Sequence, residues 1–319
     1  MNTSALKSFA PAVRRQLMEA VTRKLDYVLT ADTPDLRAAA EQVKSLRKEA
    51  ERDRAALIER VAYTWFNRLA AIRFLDARGW HPFHARVLTP ASAQETQPEL
   101  LKLVRTGSLP EELRPHTDPD RLNDLLDGRL PTSVAGADSQ GEVYRHLVLA
   151  VCRFYHATLP FLFERLNDET ELLLPDDLLT ATSVAEGFRT EIGDADCAGV
   201  EILGWLYQFY IAEKKDAVMA RNAAVPKDDN HQLRERNEFR QRQPNHEINR
   251  LLSQIGGAIY RLHEYLFDFR ARETLRRFCQ LPQDGSAHGC DTDARDRCPE
   301  DRRRPFFFDA VEQLATDAS

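Results

Sequence analysis

The chain has little glycine, few cysteines, no long apolar run and no large excess of one charge. Glycine accounts for 13 of 319 residues, and stretches rich in Leu, Ala, Glu and Arg dominate, which favours helices over sheet. The five cysteines are an odd number without regular spacing, so we expect no disulfide framework. No apolar run approaches the ~20 residues that cross a bilayer, and the N-terminus lacks a secretory signal. We therefore expect a soluble, cytoplasmic chain with no membrane partner.

The charge pattern excludes a globally basic nucleic-acid-binding protein. Charged residues make up 29% of the sequence, yet the net charge is only −6. A local basic face remains open, because the run from Lys44 to Arg54 is rich in Lys and Arg. Its interspersed acids, such as Glu49 and Glu51, fit ion pairs on an exposed helix equally well.

Apolar spacing and capping residues predict the first helices. A stripe of apolar residues three or four apart predicts one helix up to about Thr30; it consists of Phe9, Val13, Leu17, Val21, Leu25 and Val28. Thr33 is predicted to cap the next helix, with Pro34 at its first position. Asp35 to Ala77 contains no Gly or Pro, which predicts one long helix whose charged half meets solvent or a partner and whose Trp65 half is buried. Gly79 is predicted to end it.

Further along, prolines and capping motifs divide the chain. Residues 81–141 alternate short helical pieces with Pro and Gly, which we interpret as a surface excursion between core helices. Ser139 with Glu142, and Ser183 with Glu186, have the spacing of capping boxes. The stretch from Val200 to Val218 is apolar on more than one face, so we expect a helix buried on both sides.

The predicted fold class is all-α. An irregular multi-helix N-terminal module is expected over residues 1–228, because the composition changes after about Asp228. The tail, residues 229–319, is expected to contain one long helix, Glu247–Cys279, and a disordered end beyond Pro282, where aliphatic side chains are scarce.

Several separated segments carry a family resemblance. The segments are Met1–Thr3 with Phe9–Pro11, Tyr63–Leu75, Leu159–Glu164, Glu171–Pro175 and Gly204–Val218. In this order they resemble the N-terminal region of adenine-specific DNA methyltransferases of the PglX type, from bacterial BREX phage-exclusion systems. The resemblance covers about residues 1–228 and leaves the tail unrelated. It implies DNA as the partner of the intact enzyme, other BREX components as further candidates, and methyl transfer from S-adenosylmethionine to adenine N6.

The residues that this chemistry needs are not found. Adenine methylation requires a glycine-bearing loop that approaches the cofactor closely and an Asn/Asp-Pro-Pro-Tyr/Phe loop that holds the flipped base. The sequence has no Pro-Pro dipeptide, and Gly256-Gly257 lies inside a helical pattern. We therefore expect no catalytic or cofactor-binding residue in this chain, and S-adenosylmethionine only in the intact family. The interpretation is a methyltransferase fragment that ends before its catalytic domain and is inactive alone.

Candidate contact residues lie beside the aromatic segments. The candidates for a DNA or partner contact are Asn67, Arg68, Arg73, Gln208, Lys214 and Lys215. The aromatic residues of the same segments could stack on bases, but their apolar spacing favours a helical core. His81 and His84, near Asp76, lack the paired spacing of a zinc site, so we expect no metal. Two alternatives remain, namely a non-catalytic helical interaction module and the helical region of a fused restriction-modification enzyme.

Overall fold

Two long antiparallel helices, α1 (Thr3–Thr30) and α3 (Ala40–Arg78), form the centre of the fold. Arg14 near the start of α1 pairs with Glu59, whereas Asp26 near its end pairs with Arg54, so the two helices run in opposite directions. In this computed structural model the described residues are 3–92, 94–134, 138–156, 159, 163, 170–199, 201–210 and 212. The predicted stripe of α1, from Phe9 to Val28, is buried against its neighbours, as expected.

The predicted single helix from Asp35 to Ala77 is wrong in two places. A short helix, α2 (Pro34–Ala38), is separated from α3 by a break at Ala39. Helix α3 is itself kinked at Asp53, whose backbone leaves the helical region (φ −160°, ψ 89°). The cause of the kink is a side-chain cap, because the Asp53 Oδ1 atom accepts a hydrogen bond of 2.9 Å from the Ala56 N–H. Aspartate competes for backbone hydrogen bonds in this way and starts a new helix.

The other predicted features of this region are confirmed. Thr33 accepts a 3.3 Å hydrogen bond from the Leu36 N–H, with Pro34 at the first helical position. Gly79 ends α3 in the left-handed conformation (φ 61°, ψ 35°). The first half of α3 is mostly exposed, although Leu46 is buried and Arg47 reaches the Leu29 carbonyl of α1 at 3.1 Å.

Residues 81–141 are not a surface excursion as predicted. The segment includes α4 (Glu99–Arg105), a 3₁₀ turn (Glu111–His116) and α5 (Pro119–Leu126), and all three pack against α6 (Ser139–His156). Their buried residues are Leu100, Leu101, Val104, Leu113, Leu122 and Leu125. Each piece is too short to show a long periodic stripe, so its contribution to the core was not visible in the sequence.

The two predicted capping boxes have different outcomes. Ser183 caps α7 (Val184–Glu191), since its Oγ accepts a 3.2 Å hydrogen bond from the Glu186 N–H. The cap of α6 is Asp138 and not Ser139, because the Asp138 carboxylate accepts from the N–H groups of Gln140 and Gly141, at 3.3 and 3.2 Å. The carboxylate of Glu142 instead accepts from the Ser133 N–H at 2.7 Å.

The last described helix, α8, covers residues 201–210. Helix α7 packs closely on α1, where a Cβ at Gly187 would lie 3.3 Å from Phe9. The residues that the structure describes contain no strand, which confirms the all-α class for that part of the chain. No described helix is long and apolar enough to span a membrane. The predicted domain boundary near residue 228, the Glu247–Cys279 helix and the disordered end lie outside the described residues.

Candidate functional site

The aromatic side chains of α3 and α8 meet in one buried cluster. Phe66 lies 4.5 Å from Tyr210 between ring centroids, and Tyr63 lies 5.4 Å from Tyr207. Phe188 of α7 joins the cluster at 5.5 Å from Phe66. Tilted and edge-on contacts of this kind stabilise a core by about 0.5–1.5 kcal/mol each beyond area burial. Two of the segments that carry the family resemblance, Tyr63–Leu75 and the described part of Gly204–Val218, therefore pack against each other.

Trp65 is a core residue, as predicted. Its side chain is fully buried, and its Nε1–H donates a 3.1 Å hydrogen bond to the Thr170 carbonyl. The guanidinium of Arg68 lies over the indole, 4.7 Å from the ring centroid. Burial also raises the pKa of the Tyr207 and Tyr210 hydroxyls, so both side chains stay neutral at physiological pH.

Trp205 departs from the prediction. Its side chain is 38% exposed, and it stacks on the half-buried ring of Phe209 at a centroid distance of 5.8 Å and an interplanar angle of 27°. The expectation that the Val200–Val218 helix is buried on both sides is therefore wrong for the described residues 201–210. One face of α8 packs inward; its buried residues are Ile202, Leu203, Leu206, Tyr207 and Tyr210. Trp205 and Gln208 face outward with Glu201.

Two of the six predicted contact residues are buried within the fold. Arg68 is fully buried beside Trp65. Arg73 is 3% exposed and donates from Nε and an NH2 group to the Ile192 carbonyl, at 3.0 and 2.6 Å. Its guanidinium also pairs with Asp194 at 2.7 Å. Both arginine side chains therefore contact groups inside the fold, and neither reaches the surface.

The other predicted residues have different positions. Asn67 is half-buried and lies one turn beyond Tyr63 on α3, while Gln208 is exposed and follows Tyr207 on α8. Tyr63 and Tyr207 touch, but Gln208 faces outward, so no contact joins it to Asn67 among the described interactions. Lys214 and Lys215 lie outside the described residues. A DNA or partner contact through these six residues stays a prediction.

A partly buried group of polar and charged side chains was missed by the sequence analysis. We call it the Lys24 cluster; it consists of Lys24, Tyr27, Glu142, Arg145 and Asp176. Lys24 is 7% exposed and its ammonium contacts the Asp176 carboxylate, which also lies 3.8 Å from Arg145. Tyr27 donates a 2.9 Å hydrogen bond to the Ser133 carbonyl. Lys24 and Asp176 are 152 residues apart in the sequence, so no local pattern predicts their contact.

The environment of the Lys24 cluster changes its proton affinities. Burial lowers the pKa of Lys24, and the nearby Arg145 lowers it further, while Asp176 opposes both effects. Burial alone would raise the pKa of Glu142, but the nearby His146, 3.8 Å away, and the hydrogen bond from the Ser133 N–H bring the net pKa below normal. Glu142 is therefore ionised at neutral pH.

A cavity of about 270 Å³ opens beside the Lys24 cluster, between α1 and the segment 175–184. Its lining includes two cations, Arg23 and Lys24, and two acids, Asp176 and Asp177. These charges balance, so the lining selects neither an anionic nor a cationic ligand.

Asp76 and His81 form a second buried polar group. The Asp76 carboxylate accepts from the N–H groups of Val87, Leu88 and Thr89 at 2.7, 2.7 and 2.9 Å. It also contacts His81 Nε2 at 2.8 Å, so this nitrogen must be the donor. The other ring nitrogen lies 2.8 Å from the Tyr155 hydroxyl. Both His81 nitrogens are thus occupied, and the arrangement anchors the loop after α3 to its last turn.

Two curated proteins show extended similarity to this chain. The adenine-specific methyltransferase BrxX of Escherichia coli O9:H4 (strain HS) is 33% identical over an alignment of 244 residues, and the match covers 69% of this chain and 19% of the relative. The adenine-specific methyltransferase PglX of Lacticaseibacillus casei (strain Zhang) is 28% identical over 264 residues, covering 72% and 21%. The chain resembles BREX-type adenine-specific methyltransferases. No protein-family model matches it.

The resemblance predicted from the sequence is thereby confirmed. The chain spans only about one fifth of the length of these adenine-specific methyltransferases. The matched region is a small part of each of these methyltransferases. The activity of a full-length methyltransferase is therefore only a proposal for this chain.

Proposed function

We propose that the chain is the N-terminal helical region of an adenine N6-specific DNA methyltransferase of a BREX phage-defence system. The observation that carries the proposal is the 33% identity over 244 residues to the E. coli adenine-specific methyltransferase. An enzyme of this class transfers a methyl group from S-adenosylmethionine to adenine in DNA, so DNA is its substrate. The proposal also places the protein in the cytoplasm, where the host DNA lies.

In this proposal the chain supplies a scaffold and not the methyl-transfer chemistry. Its buried arginines, Arg68 and Arg73, bind groups of the fold itself. The sequence contains no Pro-Pro dipeptide and therefore no adenine-holding loop of the family type. We assign cofactor binding and methyl transfer to the larger part of a full-length methyltransferase.

The first test measures what the chain does alone. Isothermal titration with S-adenosylmethionine and a tritium-transfer assay on host DNA should both give no signal above background. The full-length E. coli relative, assayed in parallel, serves as the positive control. Stoichiometric cofactor binding or methyl transfer by this chain would overturn its assignment as a non-catalytic region.

The second test asks whether the chain works within a methyltransferase. The matched 244 residues of the E. coli relative are replaced by the corresponding residues of this chain. The chimera should methylate host adenine, whereas an enzyme lacking the region should not. A folded chimera that leaves adenine unmodified would contradict the proposed function.

A second candidate function is a helical module that binds other proteins without catalysis, including other BREX components. The exposed Trp205 on α8 favours it, because tryptophan is enriched at the energetic centres of protein interfaces. An active chimera would decide for the methyltransferase region. An inactive chimera, with this chain bound to another protein at Trp205, would decide for the interaction module.

A further inference from the structure

The first part of α3 and the short helix before it are weakly attached to the rest of the fold. We call residues 34–52 the arm; they comprise α2 and the part of α3 before the kink at Asp53. Within the arm, which the structure describes completely, Leu46 is the only buried side chain. The part of α3 after the kink instead buries residues in every turn from Leu57 to Asp76. Segments with few buried apolar contacts lie at the low-stability end of a fold and open locally.

Asp53 separates the arm from the rest of α3. Its backbone leaves the helical region, and its carboxylate accepts a 2.9 Å hydrogen bond from the Ala56 N–H. The helix after the kink therefore has its own capped N-terminus, and its first turn does not depend on hydrogen bonds to the arm. Cooperativity joins the turns of a continuous helix, and the kink interrupts it. The arm can open without unwinding the part of α3 that holds the core.

The break at Ala39 does not divide the arm in the same way. The Ala39 N–H donates to the Asp35 carbonyl, and the Ala39 carbonyl accepts from the Val43 N–H, each at 3.0 Å. Hydrogen bonds of the helical type therefore continue from α2 into α3. This continuity predicts that α2 and the first part of α3 move together.

Polar contacts hold the arm at different points along its length. Glu49 accepts hydrogen bonds from an NH2 group of Arg60, which lies after the kink, with both carboxylate oxygens, at 2.9 and 2.8 Å. Arg47 donates a 3.1 Å hydrogen bond to the Leu29 carbonyl in the last turn of α1. These two contacts fasten the end of the arm that is nearest to the kink.

A third contact joins α2 to α5. The guanidinium of Arg121 donates to both carboxylate oxygens of Asp35, at 3.0 and 2.5 Å. The side chains of this pair are 30 and 44% exposed, and those of the Arg60–Glu49 pair are 43 and 25% exposed. Ion pairs that are open to water are weak, and dissolved salt screens them. The attachment of the arm therefore depends on ionic strength.

We propose that the arm is a salt-dependent opening unit hinged at Asp53, and that the structure shows its closed form. In the open form the polar contacts of the arm and the burial of Leu46 are lost together, because one helical unit carries all of them. The turn at residues 31–33 is the second hinge, since it joins the arm to α1. High ionic strength favours the open form, because it weakens both ion pairs. The helices that form the core stay folded while the arm opens.

Hydrogen–deuterium exchange of the 319-residue chain, measured by mass spectrometry of its peptides, tests the proposal. At low salt, Glu49→Gln should accelerate exchange in the arm by about two- to fivefold, since it removes one exposed ion pair. The factor should be the same in residues 36–39 and 43–52, because these residues open together, and residues 57–76 should not change. Glu41→Gln is the matched control: its carboxylate pairs with Lys44 inside the arm, at 4.0 Å, so none of these rates should change. For the wild type, raising NaCl from about 0.1 to 1 M should accelerate exchange in the arm alone, by at least the factor seen for Glu49→Gln.

Any of three other outcomes contradicts the proposal. Acceleration confined to the turns next to Glu49 would show that the arm does not open as one unit. Equal acceleration in residues 57–76 would show that the kink is not a hinge. Exchange in the arm that responds neither to Glu49→Gln nor to salt would show that ion pairs do not hold it. Circular dichroism verifies that each variant is folded. The opening needs no other part of a methyltransferase, so each of these results leaves the proposed function to its own tests.

Discussion

Trp65 and Trp205 lie in two similar aromatic segments but have opposite environments. Trp65 is fully buried, with its indole N–H bonded to Thr170 and Arg68 over its ring. Trp205 is 38% exposed and touches Phe209 on the surface. The comparison shows that apolar spacing predicts a helix with one buried face. The spacing does not predict whether a given aromatic residue lies on that face or on the exposed one.

The largest expected effect is at the buried tryptophan. Trp65→Ala should lower the free energy of unfolding by about 3–5 kcal/mol, because it removes a fully buried ring and leaves a cavity. Chemical denaturation followed by circular dichroism measures the loss. Trp65→Phe should recover part of the stability, since it keeps most of the apolar volume. An alanine variant as stable as the wild type would break the comparison.

The polar anchor at the end of α3 should come next. Asp76→Asn should cost about 3 kcal/mol, because an amide cannot accept all the N–H groups that the buried carboxylate accepts. Asp127→Asn, at an exposed site, is the matched control. Thermal unfolding of both variants checks the prediction. Equal stability of the two would mean that the loop after α3 does not depend on Asp76.

A smaller, pH-dependent effect is expected in the Lys24 cluster. Glu142→Gln should destabilise the fold by about 1–2 kcal/mol near neutral pH, because the Ser133 N–H loses a charged acceptor and His146 loses a neighbouring carboxylate. Since the folded pKa of Glu142 lies below its ordinary value of 4.5, its contribution is fully present above pH 4.5. The contribution disappears as the pH falls through the lowered pKa.

Denaturation of wild type and Glu142→Gln at several pH values tests this dependence. The difference in unfolding free energy should shrink at acidic pH. A difference that stays constant from neutral to strongly acidic pH would show that the carboxylate is not stabilised by its charge.

The smallest effect is expected at the exposed tryptophan. Trp205→Ala in this chain should change the unfolding free energy by less than about 1 kcal/mol, because much of the ring already meets water. The same denaturation assay, with Trp65→Ala alongside, makes the comparison direct. A loss as large as that of Trp65→Ala would show that Trp205 belongs to the core after all.

Part of the fold was predictable from neighbouring residues. The stripe of α1, the Thr33 and Ser183 caps and the Gly79 termination depend on residues within one or two turns, and all four are confirmed. The kink at Asp53 was missed because an aspartate within a helical pattern can either face solvent or cap a new helix. The burial of residues in α4 and α5 was missed because these helices are too short for a readable period.

The candidate site was less accessible to the sequence. Arg68 and Arg73 lie next to apolar positions, which suggested surface contacts, yet both are buried: Arg68 lies over Trp65, and Arg73 binds the distant Ile192 carbonyl. The Lys24 cluster left no local signature, because its members come from α1, α6 and the 170–178 segment. Tyr63 and Tyr207 meet only because α3 and α8 pack together.

The sequence by itself determined the helical class of the described residues, the helix ends at Thr33, Gly79 and Ser183, and the resemblance to adenine-specific methyltransferases. These features depend on local hydrogen bonding, on residues three or four apart, and on the order of segments along the chain. The tertiary structure alone decided that Arg68 and Arg73 are buried, that Lys24 pairs with Asp176, and that Trp205 is exposed. Arg73 and Lys24 bind partners more than a hundred residues away, and only the packing of the chain brings those partners together.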